Sequence, residues 1–408
     1  MMLTNLLERR IKHGTLHLQM PDGSTRTLGE GEPQAHWRLH SHKAAARILR
    51  DPELELGETY TDGDWDTGEG QLQDLLGLLM RNFPESDEPA GLQRLLRVPQ
   101  MFLRHWNRIG RSRRNVAHHY DLDGELFRLF LDEDMQYSCA YYYAPGIDLE
   151  EAQRAKRGHI ANKLLLKPGQ RVLDIGSGWG GLALDLAEQA GVEVTGLTLS
   201  EEQLKVARRR AVERGLEDRV HFELQDYRQH RGNYDRIVSV GMFEHVGPPN
   251  YRHFFSQVRK LLAPGGVALL HTIGRQSTPG GTNPWIRKYI FPGGYIPALS
   301  EVSGAIERTG LVTSDVEVLR LHYADTLAAW QRRFQRQRRE VTQRMGERFY
   351  RMWEFYLASC EASFRWRDLV VFQFQLAKDL ATVPVTRDYL YNPSDRDAAP
   401  EPAVAHSA

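Results

Sequence analysis

The stretch VLDIGSGWGGLA, residues 172–183, decides how this chain is read. A short apolar run ends in Asp174, and Gly176, Gly178, Gly180 and Gly181 then form a turn that opens into a helix, where backbone can approach a ligand closely. Outward from it the chain alternates between strand and helix. RVLDIG (171–176), VEVTGL (192–197), RVHFEL (219–224), YDRIVSVG (234–241) and GGVALLHT (265–272) read as short apolar strands, with helical stretches at 181–190, 201–215 and 251–262 between them. That rhythm predicts an α/β fold with a doubly wound, mainly parallel sheet. A helical insertion over about 325–364 and a last strand, LVVFQFQLAK (369–378), complete it.

The first third reads differently. GTLHLQM and STRTLG flank the turn PDG, which predicts a hairpin over 15–28, and residues 37–40 add a strand. Ser41 caps a helix that runs to Arg50, and LQDLLGLLM (72–80) has the apolar density of another. The expected division is a smaller α+β domain at 1–113, a catalytic domain at 114–392, and a tail at 393–408 too poor in apolar residues to pack and hence disordered.

Composition removes several function classes. Among 408 residues, 53 Lys plus Arg balance 53 Asp plus Glu, so no global field draws nucleic acid, and none is expected as a partner. Cys139 and Cys360 lie too far apart in sequence for a metal knuckle or a disulfide framework; no metal site is expected, and a reducing compartment is. The N-terminus meets charge before any signal-like apolar core, and the longest apolar runs fall far short of the ~18 residues a spanning helix needs. The expected location is cytoplasmic, with any membrane met from outside.

Glycine spacing alone would also suit a dinucleotide. With the strand-end Asp174 inside the turn, DIGSGWGG resembles motif I of S-adenosylmethionine (SAM) methyltransferases. The second strand runs on into GLTLSEEQ (196–203) without an acidic residue for a ribose diol, and Thr198, Leu199 and Gln203 stand there instead. Gln225 and Asp226 follow the third strand, where an adenine amino group could be read.

Longer stretches narrow the reading. HHYDLDGELFRLFLDEDMQYSCAYY (118–142), SVGMFEHVGPPNY (239–251), LLHTIG (269–274), LHYADTLAAW (321–330) and SCEASFRWRD (359–368) resemble the cyclopropane-fatty-acyl-phospholipid synthases, in chain order over about 113–392. The resemblance implies a Rossmann-like class I SAM methyltransferase sheet with a helical lid and an accessory N-terminal domain. It implies SAM as methylene donor, touched by Tyr137, Ser138, Gly176, Gly178, Thr198, Leu199, Gln203 and Asp226. It also implies a bicarbonate ion held by Cys139, Glu244, His271, the Ile273 amide and Tyr323, unsaturated phospholipids of the membrane as substrate, peripheral attachment to the membrane's inner face, and a homodimer. Ser177 departs from the family's frequent cysteine, which matters little where glycine backbone carries the turn.

Such chemistry lets alkene π electrons attack a methyl carbon, leaves positive charge on the chain, and closes the ring when a proton departs. The site must be dry, since water would trap the cation, yet hold a base. Tyr137, Tyr141, Tyr142 and Tyr143 crowd beside Cys139, and aromatic faces stabilise a cation by ~0.5–2 kcal/mol each. Glu244 and His271 follow the fourth and end the fifth strand, whose carboxyl ends converge on the ligand crevice of a doubly wound sheet. Relatives that make a methyl-branched chain or methylate a small amine share the SAM turn and the Glu/His pair, and a non-catalytic lipid-binding role is the alternative from another class. Two basic stretches are either solvated faces or rests for anionic headgroups: 91–114, with seven arginines and no acid, and 331–351, with eight arginines and two glutamates.

Overall fold

Asp22 accepts the Ser24 N–H at 2.9 Å and Gly23 takes φ +82°, so the PDG turn closes the expected hairpin between β1 (Gly14–Gln19) and β2 (Thr25–Glu30). β3 (Gln34–Leu39) lies parallel to β1, and the two-residue β4 (Trp65–Asp66) completes a sheet of order β2-β1-β3-β4. Buried Ala35, Trp37 and Leu39 alternate with exposed neighbours along β3, the period of a sheet with one dry face. Ser41 caps the helix His42–Arg50 as expected, its side chain accepting the Lys43 N–H.

This structure, a computed structural model, describes residues 2–83 and 124–391, which divide into two units. The basic stretch at 91–114, the boundary expected at 113 and the tail at 393–408 lie outside the described residues. The first unit draws residues 2–83 together with 281–292 and 323–369. The insertion, expected as one long helical stretch, forms three helices, His322–Arg336, Arg338–Met345 and Glu347–Trp366, with Gly346 at φ +88° between the last two. Its arginines are partly structural: Arg351 donates to the Tyr60 and Trp65 carbonyls at 2.6 Å each and lies 4.0 Å over the Tyr60 ring.

The second unit holds residues 124–280, 293–322 and 370–391. Its strands are β5 (Arg171–Ile175), β6 (Glu193–Thr198), β7 (Val220–Leu224), β8 (Tyr234–Val240), β9 (Leu262–Arg275), β10 (Val312–Leu319) and β11 (Leu369–Ala377), in the order β10-β11-β9-β8-β5-β6-β7. β5 to β9 pair in parallel, and β10 runs antiparallel to β11. Val172, Val194, Val220 and Leu269 from four strands pack with Leu184 and Ala207 from the helices into one core. The chain winds one way from β5 to β6 and β7 and the other way to β8 and β9. The carboxyl ends of β5 and β8 therefore flank a switch point, the place where such sheets bind ligands.

Candidate active site

At the end of β5 the turn is hooked onto β6: the N–H groups of Gly176 and Ser177 both donate to the Leu197 carbonyl at 2.9 Å. Gly176, Gly178 and Gly180 take φ +89°, +54° and +83°, the left-handed region that favours glycine, before the helix Gly181–Ala190 begins. Ser177 contributes backbone here, so the departure at this position leaves the turn intact.

The turn forms one wall of a pocket. Tyr137, Ser138, Asp174, Gly176, Gly178, Thr198, Leu199, Gln203, Gln225 and Asp226 all line it. Some of these polar groups are already spoken for. Thr198 donates to Gln203 Oε1 at 2.9 Å, Arg228 grips the Asp226 carboxylate at 2.8 and 2.6 Å, and Gln225 Oε1 meets His230 Nδ1. Asp174 is different. Its Oδ2 is buried with no partner, and burial pushes its carboxyl up to about 7 against the opposing pull of Lys156. An orphaned carboxylate beside a glycine cradle fits the amino-acid end of SAM, whose ammonium would satisfy it.

A second cluster adjoins this pocket along the chain. Glu244 sits in the short turn Phe243–His245 after β8, between Met242 and His245, which both line the pocket. Val240 of β8 stands opposite His271 of β9, and the Gly241 N–H donates to the His271 carbonyl at 3.0 Å, so the two strand ends meet. The Ile273 N–H, expected to face an anion, instead donates to Glu244 Oε1 at 2.6 Å, because a buried amide takes up whatever carboxylate oxygen lies within reach. Glu244 Oε2 is buried without a hydrogen-bond partner, and desolvation raises this carboxyl above its ordinary value against the Ile273 amide and the Thr272 hydroxyl, which itself donates to the Ile273 carbonyl.

His271 is fixed more tightly than sequence could show. Gln373 Nε2 lies 3.1 Å from its Nδ1; with the amide turned this way Nδ1 accepts, which leaves the ring proton on Nε2. Desolvation, with Lys156 and Lys163 adding to it, pushes His271 down to about 3, so the ring is neutral at physiological pH. Cys139 is fully buried beside Ser138, its thiol donating to the Ala140 carbonyl at 3.3 Å. Tyr323 belongs to the first unit, its ring 5.8 Å from Trp330 and 4.9 Å from Phe364. Desolvation pushes the thiol of the half-buried Cys360 up to about 12, which keeps it protonated at physiological pH.

Sequence reasoning missed Gln136, Tyr227, Arg228, Met242 and His245 among the lining residues. Adjacency to Tyr137, Asp226 and Glu244 was the one signal available for them. Among the described residues no cluster of side chains could hold a metal ion.

This strand order with a glycine turn at its switch point is the architecture of the SAM-dependent methyltransferases. Structures of two mycolic acid cyclopropane synthases bear this out, each over 65% of this chain and 98% of the other. One, from Mycobacterium tuberculosis, has a TM-score of 0.62 at 36% identity; the other, complexed with SAH and CTAB, has a TM-score of 0.62 at 35%. The family model for mycolic acid cyclopropane synthetase matches residues 107–374, and a domain of unknown function matches residues 2–86. The cyclopropane-fatty-acyl-phospholipid synthase of Escherichia coli (strain K12) is 41% identical over 84% of this chain and 88% of its own length. A tuberculostearic acid methyltransferase of Mycobacterium tuberculosis is 38% identical over 92% and 90%. The chain belongs to the cyclopropane-fatty-acyl-phospholipid synthase family.

Proposed function

We infer that this enzyme transfers a methylene carbon from SAM to cis double bonds in phospholipid acyl chains, forming cyclopropane rings. The observation that carries this reading is the buried Glu244, bound by the Ile273 amide two residues beyond His271 and flanked in the chain by two residues of the SAM pocket. Bound SAM supplies a methyl carbon made electrophilic by its sulfonium. The protein's part is to hold the chain dry while charge passes and to take away one proton. His271 Nε2–H donates to the acceptor of that proton, and Glu244, uncompensated at Oε2, accepts a hydroxyl hydrogen. Those two groups suit bicarbonate, one anionic oxygen to His271 and the hydroxyl to Glu244, with Cys139 as a further partner.

The test is mass spectrometry of unsaturated phospholipid vesicles incubated with the protein and SAM, with and without bicarbonate, beside Glu244→Gln. The expected product gains one CH2 per chain and resists hydrogenation, with turnover falling about 100-fold or more in the variant. Turnover indifferent to bicarbonate would remove the ion from the scheme. The similarity to a tuberculostearic acid methyltransferase supports a second reading, a branched chain, in which the added carbon stands as a C=CH2 side group that hydrogenation would consume.

Peripheral attachment to the inner membrane face is part of the same proposal, supported by the arginines of residues 91–114. Replacing Arg104, Arg108 and Arg111 by Gln is expected to reduce sedimentation with anionic vesicles while SAM affinity stays as it was. The homodimer also remains a proposal, read out by the mass of the particle in solution.

A further inference from the structure

The helix Leu149–Leu164 carries a lysine with no solvent exposure, Lys156, whose ammonium donates to Gln136 Oε1 at 2.6 Å and to Ser138 Oγ at 2.8 Å. One turn earlier, Gln153 Nε2 donates to the Ser138 carbonyl at 3.0 Å and to that of Gln136 at 3.3 Å. The same helix thus holds both backbone and side chains of this pocket wall. The polarity of these bonds matters more than their number. An ammonium can only donate, so it occupies an acceptor on each partner and leaves each partner its donor. Gln136 keeps its amide N–H groups and Ser138 its hydroxyl hydrogen. Both side chains line the pocket, and neither donor meets an acceptor among the described residues. The same pocket holds Asp174 Oδ2, an acceptor without a donor.

We propose that Lys156 is a positioning residue for the cofactor: by occupying the acceptors of Gln136 and Ser138 it makes both side chains donors, a seat for the carboxylate of the methionyl group, while Asp174 receives the ammonium. A zwitterion then meets two donors and one acceptor of the right sense. Burial pushes the Lys156 amine down to about 7; the Asp132 and Asp185 carboxylates favour its charged form and Arg157 opposes it. The proposal rests on the pocket being the SAM site and adds what selects the cofactor's amino-acid end.

Calorimetry on the full-length protein tests it with two ligands, S-adenosylhomocysteine and its decarboxylated counterpart, which retains the ammonium. Wild type is expected to prefer the carboxylate-bearing ligand by about tenfold or more, the scale of a charge-assisted hydrogen bond. Lys156→Met should lose most of that preference by weakening the carboxylate ligand alone, and Ser138→Ala should lose part of it. If Lys156→Met weakens both ligands equally, or neither, the residue supports the fold only and the proposal is overturned. If Lys156→Met does not fold, Ser138→Ala and Gln136→Leu decide, and an undiminished preference in both overturns it. Wild type binding neither ligand would overturn the cofactor reading itself, and the role of Lys156 with it.

Discussion

A methyl group on Gly181 would lie 2.4 Å from Gln136 Nε2 and 2.6 Å from the Asp134 carbonyl, and only the first of these can swing away. Gly181→Ala is therefore expected to cost about 1–3 kcal/mol and to weaken S-adenosylhomocysteine binding through the displaced Gln136, which thermal melts and calorimetry would show. At Gln373 the argument concerns a proton. With Gln375 it is one of two buried glutamines in the strand β11, and its bond to His271 Nδ1 selects the tautomer that donates from Nε2. Gln373→Leu removes that selection at a cost of about 1.4 kcal/mol, so turnover should fall about tenfold while cofactor affinity is unchanged. Unchanged turnover would mean the tautomer does not matter.

Among the elements, the helix Leu149–Leu164 is joined to β10 through Glu317. This carboxylate accepts from His159 Nε2 at 2.6 Å and pairs with Lys163, and although burial opposes it, those partners hold its pKa down at about 2 from an ordinary 4.5. A depressed carboxylate stabilises the fold above its unfolded pKa and loses that contribution as pH falls from about 4.5 towards 2. The gap between the urea midpoints of wild type and Glu317→Gln should thus be constant near pH 7 and narrow progressively from about pH 4.5 towards 2; a gap unchanged over that range would refute the linkage. The same helix shows where sequence reading stops. β5, β6, β8 and the glycine turn were legible because their apolar runs and turn residues act locally. The face bearing Gln153, Lys156, His159 and Lys163 is rich in polar residues, and by composition it passes for a solvated one. Only neighbours distant in the chain, Gln136, Ser138 and Glu317, make that face an inner one. β10 carries no such signal for a related reason: of its eight residues only Asp315 and Leu319 are buried, and one of the two is a carboxylate, so it lacks the apolar run of its neighbours. The pocket residues were found chiefly through resemblance, since no local pattern marks Tyr137 or Leu199 as ligands.

Across the whole molecule, the first unit is made from three separated lengths of chain. Tyr60 donates at 2.5 Å to Glu354 Oε2, whose other oxygen accepts from Tyr350 at 3.1 Å. Tyr60→Phe leaves a buried carboxylate one donor short and should cost about 1–3 kcal/mol, lowering the melting temperature by several degrees. No change would show that the carboxylate finds another donor. That interleaving also fixes an order of events during synthesis. Residues 2–83 leave the ribosome almost three hundred residues before the helix Glu347–Trp366 that they need, a wait of about 15–60 s at ordinary elongation rates. Until then the apolar faces of helices Pro52–Thr61 and Leu72–Asn82 stand uncovered, so a nascent chain stalled before residue 347 is a client for chaperones rather than a folded domain.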